Sequence, residues 1–411
     1  MATLFPLNTL SLKRLEIVFA ALVAIIWISG CSNSRDVDDR PNIVFVLADD
    51  LGWHQLGAYG STFYETPHID ALSARGMRFT DAYMGSSICS PARASIMTGK
   101  YPARLHLTDF IKGGSPEFTK LKTPDWTPYL PLSEITIPEV LAKAGYVSGH
   151  FGKWHLNKDK EYELGRPMDP GSQGFSDVLT TTKPSDPKDP NQDDWHHVRE
   201  ITDRALAFIE RNRGSPFFCY VTHNSIHRPE MEDDALIEKY RSKPDADNDE
   251  EYGHNNPVQA AMLETLDKSV GKIVSRLDEL GLSENTLVIF VSDNGHLGPK
   301  DSQPLRGSKA DFYEGGIRVP LIAQWKGRIE AGSECRVPVI SCDFLPTFSE
   351  VAKIGKAEVV VDGVSLLPLL LQSGGVERDA LYWHFPHYHH QGIAPSGAIR
   401  EGDFKLIEWF E

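Results

Sequence analysis

Long apolar runs that finish in polar residues recur along the chain. The runs 41–50 (PNIVFVLADD) and 286–295 (TLVIFVSDNG) are apolar without alternation, and each then ends in acids or in an acid and an amide. Runs of this kind are typical of strands that are buried on both faces of a parallel sheet. The segments 146–155 (YVSGHFGKWH) and 216–227 (PFFCYVTHNSIH) also predict strands, and they end in lysine or histidine.

Helical signals lie between these strands. The first helical segment offers Thr66 as N-cap, Pro67 as its first residue and Gly76 as its stop. Alternating strands and helices predict an α/β fold, in which helices flank a large central and mostly parallel sheet. Ligands of such sheets bind outside the carboxyl ends of the strands. The segments predicted as helices are 66–76, 137–145, 199–212 and 258–280.

Polar residues therefore collect at one edge of the predicted sheet. For any single strand an ordinary polar loop is the alternative, but four such endings favour a functional site. The first and last endings supply only oxygen ligands, which Ca²⁺ and Mg²⁺ prefer. Because crowded carboxylates repel one another without a cation, a metal site is favoured over a hydrogen-bonded structural role. The four endings are Asp49 with Asp50, Lys153 with His155, His223 with His227, and Asp293 with Asn294.

The segment 86–99 (SSICSPARASIMTG) carries a cysteine in front of a predicted helix, with Ser90 as its N-cap and Gly99 as its stop. A helix N-terminus beside Arg93 favours an anion and would lower the pKa of the Cys89 thiol. A nucleophile, a hard metal and an anion site together indicate transfer or hydrolysis of a phosphate or sulfate ester. The alternative from these residues alone is a small buried cysteine before an ordinary capped helix.

The amino-acid composition limits the size of the fold and the classes of molecule that the protein can bind. The 411 residues are 41% apolar, enough for one large domain with an appendage. The net charge is −15 and no Lys/Arg block is present, so nucleic acid is a poor partner. Cys219 is predicted to be a buried free thiol, and Cys335 and Cys342 have an awkward spacing for a disulfide.

The first 30 residues predict a lipoprotein signal peptide. A basic pair precedes the apolar run 17–28, which is shorter than the roughly 20 residues that span a bilayer. The run ends in ISGC, which resembles the bacterial lipobox. The resemblance implies a lipid on Cys31 that anchors an exported protein at the periplasm, outer membrane or cell surface, with a polar tether over 31–40. An ordinary signal peptide or a short anchor helix, with an incidental cysteine, is the alternative.

The segment CSPARASIMTG resembles the signature C-x-P-x-R of the type I sulfatases, which belong to the alkaline phosphatase superfamily. ADDLG, GKWHL, SDNG and RGSKADFYEGGIRVP resemble other motifs of that family, and the resemblance covers about residues 41–411. In that family a maturation enzyme oxidises the cysteine to formylglycine. One hydroxyl of the aldehyde hydrate attacks the sulfur of a sulfate ester, and the other drives release of sulfate. Among sulfatases the sequence looks like exported bacterial carbohydrate sulfatases.

The resemblance implies a role for each matching residue. One Ca²⁺ would be held by Asp49, Asp50, Asp293, Asn294 and the matured Cys89. The implied catalytic set is Arg93 at the hydrate, Lys153 and Lys309 on sulfate oxygens, His155 at the hydrate or the sulfate, and His227 at the leaving alcohol. His223 is a weaker candidate, for substrate binding. Taken singly, these lysines would be surface residues and these histidines structural ones.

The run 381–392 (LYWHFPHYHHQG) clusters aromatic residues and histidines. In sulfatases resembling this one the region lines the sugar pocket, which makes His384 and His387 candidates for substrate binding. A structural aromatic cluster is the alternative, and the histidine spacing fits no tidy zinc pattern.

These patterns divide the mature chain into a catalytic domain over 41–375 and the start of a C-terminal antiparallel sheet over 376–411, which stops short of the family's pattern. The predicted function is hydrolysis of sulfate esters on glycans that contain galactose or N-acetylgalactosamine. One alternative is a phosphodiester or phosphonate monoester hydrolase of the same superfamily. The other is a glycan-binding protein in which Cys89 is never matured.

Overall fold

The computed structural model describes residues 1, 40–114, 116–157, 163–184, 193–247, 253–298, 304–355, 359–391 and 393–411. The predicted signal peptide, the lipid on Cys31 and nearly all of the tether lie outside the described residues and stay predictions. Residues Arg40–Glu411 form one compact unit. Within the described ranges, no helix is both long enough and apolar enough to cross a membrane.

Thirteen strands are present in the described part of the chain. They are β1 (Asn42–Ala48), β2 (Met77–Phe79), β3 (Ala82–Tyr83), β4 (Val147–Gly152), β5 (Asp177–Thr180), β6 (Phe217–Thr222), β7 (Thr286–Ser292), β8 (Leu321–Gln324), β9 (Ser333–Cys335), β10 (Val339–Ile340), β11 (Leu381–Phe385), β12 (Ser396–Glu401) and β13 (Phe404–Trp409).

The α-helices of the described residues connect these strands. They are α1 (Pro67–Ala74), α2 (Cys89–Thr98), α3 (Pro102–Leu105), α4 (Ile137–Ala142), α5 (Val198–Asn212), α6 (Asp234–Arg241), α7 (Pro257–Glu279), α8 (Glu314–Ile317), α9 (Phe344–Val351) and α10 (Leu367–Leu370). The four helices predicted from sequence correspond to α1, α4, α5 and α7, with ends that differ by at most three residues.

The predicted α/β fold is confirmed. Eight strands form a central sheet in the order β5-β4-β6-β1-β7-β8-β2-β9. All neighbours pair in parallel except β8, which runs antiparallel to both β7 and β2. The four strands predicted from sequence, β1, β4, β6 and β7, are adjacent in the middle of this sheet, so their carboxyl ends meet at one edge.

Strand β1 shows why its sequence is apolar without alternation. Ile43, Phe45 and Leu47 face a core that also contains side chains of α2, α4 and α9. Val44 and Val46 face the opposite core, with side chains of α1, α5 and α7. Both faces of the strand are therefore buried under helices, and each large side chain contributes about 1.5–3 kcal/mol through burial.

The C-terminal residues form a separate antiparallel sheet of three strands, β11-β12-β13. The predicted strand, turn and strand over 397–411 are confirmed. Ion pairs tie this sheet to the rest of the unit, because Arg400 Nη1 lies 2.9 Å from Asp81 and Lys405 Nζ lies 2.9 Å from Glu314. The indole of Trp383 also donates a hydrogen bond to the Met84 carbonyl at 2.7 Å.

Gly152, the last residue of β4, is required for close packing against β6. Its φ is 120°, and a Cβ there would lie 1.8 Å from the Thr222 carbonyl oxygen. We therefore expect Gly152→Ala to lower the free energy of unfolding by about 3 kcal/mol or more, measured by urea denaturation. A Cβ on Gly214 would meet no atom within 4 Å, and Gly214→Ala is therefore the control. Equal stability of the two variants would contradict this account of β4.

Candidate active site

Two acidic strand ends meet because β1 and β7 are parallel neighbours in register. Ala48 lies opposite Ser292, so the next residues of each strand face each other. The Asp50 amide donates to Asp293 Oδ1 at 3.2 Å, and the Asn294 side-chain amide donates to Asp50 Oδ1 at 2.7 Å. Asp50 adopts a φ of 62°, a backbone conformation that costs a non-glycine residue energy and is concentrated at functional sites.

Cys89 lies directly beside these acids. Its Sγ is 3.5 Å from Asp49 Oδ1 and 3.9 Å from Asp50 Oδ1. The helix α2 begins at Cys89 itself, so the predicted N-cap at Ser90 is wrong. The reason is that Ser90 Oγ accepts a hydrogen bond from the Ile111 amide at 3.0 Å and is not available to cap the helix. The predicted stop is confirmed, because Gly99 ends the helix with a φ of 68°.

Three cations neutralise the buried acids. Lys153 Nζ lies 2.5 Å from Asp49 Oδ2, and Lys309 Nζ lies 2.6 Å and 2.8 Å from the two oxygens of Asp50. The Lys309 ammonium group is also 3.4 Å from Cys89 Sγ. On the other side, Arg93 is fully buried, and its groups contact Asp293 and the Lys153 carbonyl; each of these distances is 2.8 Å. Residues as far apart in the sequence as Asp49 and Lys309 thus belong to one charged cluster.

The pKa values of the three buried acids shift in different directions. Burial raises the pKa of Asp49, but Lys153, His227 and Arg93 outweigh it and leave that pKa well below its usual value. The same competition, led by Lys309, lowers the pKa of Asp50. Burial and the neighbouring Asp49 raise the pKa of Asp293 to about 6. Asp49 and Asp50 are therefore ionised at neutral pH.

The Cys89 thiol does not have the lowered pKa that its helix position predicts. Burial, followed by the Asp293 carboxylate, raises its pKa to about 12, and the two lysines offset only part of this. Desolvation outweighs the helix N-terminus because the thiol is only 2% exposed. The thiol is therefore protonated at neutral pH and is a weak nucleophile in this form.

Two histidines complete the cluster. His227 Nε2 lies 3.6 Å from Asp50 Oδ2, and burial together with Lys309 lowers the His227 pKa to about 3. His155 adopts a φ of 59°, and its Nε2 is 3.3 Å from the Ile111 carbonyl oxygen. Burial and Lys153 hold the pKa of His155 well below its usual value. Both imidazoles are therefore neutral at pH 7.

The oxygen donors of Asp49, Asp50 and Asn294 suit a hard divalent cation. One ligand atom from each of Asp49, Asp50, Cys89 and His227 lies within 4.8 Å of the others. Asn294 Oδ1 is buried and has no hydrogen-bond partner among the described residues, as expected of an oxygen that faces a cation. Carboxylate and amide oxygens suit Ca²⁺. Asp293 lies beside Asp50, but both of its carboxylate oxygens already have partners. Oδ1 accepts a hydrogen bond from the Asp50 amide, and Oδ2 contacts Arg93.

The cluster forms the floor of a cavity of about 280 Å³. Cys89, Lys153, His155, His227 and Lys309 all line it, so the structure brings these predicted residues together. Three segments contribute much of the remaining wall, with residues 110–112, 180–183 and 389–391, and Asp169 is among the other lining residues.

Comparison with known proteins decides the family. Residues 41–354 match the Sulfatase family model, and residues 308–411 match the model for the C-terminal part of N-sulphoglucosamine sulphohydrolase. The chain belongs to the sulfatase family. It is therefore a sulfuric ester hydrolase.

Relatives of this sulfatase include two mammalian enzymes. It is 32% identical to human arylsulfatase A over 89% of this chain and 74% of the relative. It is also 32% identical to the N-acetylgalactosamine-6-sulfatase of Rattus norvegicus, over 84% of this chain and 68% of the relative.

Solved structures agree with the fold. Ps i-CgsB in complex with k-i-k-neocarrahexaose has a TM-score of 0.73 and 25% identity, covering 90% of this chain and 84% of that one. The phosphonate monoester hydrolase of Agrobacterium radiobacter has a TM-score of 0.69 and 18% identity, covering 90% and 87%, and shares the fold.

Three weaker candidates lie away from the cavity of the sulfatase. His223 is fully buried, and its Nε2 is 3.1 Å from Ser269 Oγ on α7, which is a structural contact. His387 is buried with its Nε2 2.8 Å from Thr108 Oγ1. His384 faces outwards because side chains alternate along β11, and it lines a separate surface cleft. None of these three histidines lines the cavity, and their assignment to substrate binding stays a prediction.

Sequence reasoning missed several residues of the cavity wall. His389 and His390 line it instead of His384 and His387, because the chain turns after β11. Lys183 lines it as well, at the carboxyl end of β5. The rule that polar residues at strand ends form the site would have found Lys183 if its short strand had been recognised. No sequence signal marks Lys112 or its neighbours.

Proposed function

We propose that this sulfatase hydrolyses sulfate esters of glycans, with Cys89 matured to formylglycine and one Ca²⁺ held at the strand ends. The observation that carries the proposal is the position of Cys89 Sγ, 3.5 Å from Asp49 and 3.4 Å from the Lys309 ammonium group. A chain with a net charge of −15 concentrates buried cations at this point. This arrangement supports binding of an anion beside a hard metal ion.

The residues of the site would have different roles in the reaction. When present, Ca²⁺ would supply Lewis-acid stabilisation and the formylglycine hydrate the attacking oxygen. Lys153 and Lys309 are placed to bind sulfate oxygens, and their burial strengthens those charge-assisted hydrogen bonds. Arg93 fixes the carbonyl of Lys153 and carries a permanent charge. His227 Nε2 faces the cavity floor. Once the negative charge of a bound sulfate ester raises its pKa, the protonated imidazole would donate a proton to the leaving alcohol.

The residues that line the cavity support the proposal that the alcohol part of the ester is a sugar. Its outer walls combine Phe110, Thr181, Thr182 and His390, and such aromatic and hydroxyl groups suit a carbohydrate ring. A relative acts on N-acetylgalactosamine 6-sulfate by its name, and a structural neighbour binds k-i-k-neocarrahexaose. We therefore propose galactose- or N-acetylgalactosamine-containing glycans as the substrate class.

Comparative kinetics test the reaction type. Enzyme that carries formylglycine and Ca²⁺ is expected to turn over 4-nitrophenyl sulfate with a kcat/KM at least about 100-fold above that for bis(4-nitrophenyl) phosphate or an aryl phosphonate. Sulfated galactans and chondroitin are the polymer substrates to test next. A preference for the phosphodiester would replace sulfate hydrolysis with phosphoester hydrolysis. Release of sulfate only from heparan or steroid sulfates would remove the substrate class.

A further inference from the structure

The cavity contains more positive charge than one sulfate group requires. Among the described lining residues are four lysines. Lys153 and Lys309 are matched by Asp49 and Asp50. Lys183 and Lys112 have no carboxylate within 4.0 Å among the residues that the structure describes. The four lining lysines are Lys112, Lys153, Lys183 and Lys309.

Lys183 lies next to the reaction centre but on its outer side. Its Nζ is 3.2 Å from His227 Nδ1, whereas the opposite nitrogen of the same ring faces Asp50 at 3.6 Å. The imidazole therefore separates Lys183 from the acids of the floor. A group bound to Lys183 would lie beside the sulfate that is cleaved and not in its place.

Asp169 is the acid among the wall residues, and it does not neutralise Lys183. Asp169 lines the same cavity, but its carboxylate accepts hydrogen bonds from Asn157 at 2.6 Å and from Arg166 at 2.9 Å. A half-buried ammonium group without an anion is unfavourable, and an anionic ligand would offset this cost.

We propose that Lys183 forms a second anion subsite that binds another acidic group of the same glycan, either a sulfate or a uronate carboxylate. The inference rests on the proposed function and deepens it, because it makes polyanionic glycans the preferred substrates. Lys183 then selects the substrate through binding and takes no part in breaking the ester.

Titration calorimetry with three probes tests the subsite. The probes are galactose 6-sulfate, galactose 4,6-disulfate and the disaccharide of a uronate with N-acetylgalactosamine 6-sulfate. We expect the calcium-loaded enzyme to bind at least one of the last two about 10-fold more tightly than the monosulfate. In Lys183→Gln the ratio of the two affinities should fall about 10-fold, so that the variant binds that probe no more tightly than the monosulfate. The probe that loses affinity identifies the second group as sulfate or carboxylate.

Lys272→Gln is the matched control, because Lys272 is an exposed lysine on α7 that does not line the cavity. Equal affinity of the wild type for all three probes would overturn the subsite. So would an equal loss for all three probes in Lys183→Gln, which would make Lys183 a positioning residue for His227. Calorimetry needs no turnover, so failure of the sulfatase proposal would appear separately, as selective binding without sulfate release.

Discussion

Cys89→Ala is expected to reduce kcat for sulfate ester hydrolysis by about 10⁴- to 10⁶-fold, the loss that follows removal of a covalent nucleophile. The reason is geometric, since the Cys89 side chain lies 3.5 Å from Asp49 and 3.4 Å from the Lys309 ammonium group, where the proposed nucleophile would form. Aryl sulfate turnover measures the loss. In the active wild type, mass spectrometry of the peptide that contains Cys89 should show a decrease of about 18 Da relative to cysteine.

Cys335→Ala provides the control, because Cys335 lies on the edge strand β9 and does not line the cavity. All four described cysteines are free thiols, so neither substitution breaks a disulfide. Turnover by an enzyme whose Cys89 peptide has the unmodified mass would contradict the maturation. Tight glycan binding without any turnover in natively produced protein would instead support the unmatured binding protein.

The second large effect is expected from the strand-end acids. Asp50→Asn should reduce kcat by at least about 10³-fold and abolish stabilisation by Ca²⁺. For chelator-treated wild type, Ca²⁺ at 100 times its dissociation constant should stabilise the fold by about 2.7 kcal/mol, which differential scanning fluorimetry detects as a rise in Tm. The variant should show no rise, because Asp50 supplies one of the two carboxylate oxygens in the donor group.

Asp50→Asn also leaves Lys309 without its carboxylate and so risks misfolding. Asn294→Ser is therefore the second variant, because it removes the buried amide oxygen. Asp50 loses one amide hydrogen bond in this variant but keeps its ion pair with Lys309. Asp203→Asn, at an exposed acid on α5, is the control and should keep the full response to Ca²⁺. A normal rise in Tm in both Asp50→Asn and Asn294→Ser would place the cation elsewhere.

The middle of the sheet and the floor of the site could be predicted from the sequence for the same reason. Buried strands such as β1 and β7 must be apolar on both faces, so their polar ends stand out sharply. The rule that ligands bind at the carboxyl ends of parallel strands then places Asp49 beside Asp293 without any knowledge of the intervening 243 residues.

The outer part of the fold and of the site could not be predicted in this way. Strands β2, β3, β9 and β10 have only two or three residues, too few for a periodic pattern. His384 and His390 lie in one histidine-rich run, and only the turn after β11 decides which of them faces the cavity. The pKa of Cys89 was mispredicted because burial depends on the whole fold, whereas a helix N-terminus is visible locally.

The cavity has walls of two different origins, and this has an evolutionary consequence. The floor is built from tips of the central sheet, where a shifted backbone would disrupt both cores. The upper walls belong to connecting segments whose length and composition can drift at little cost to folding. Descendants of one ancestral scaffold can therefore acquire new glycan preferences by remodelling those segments, while the ester-cleaving groups stay fixed.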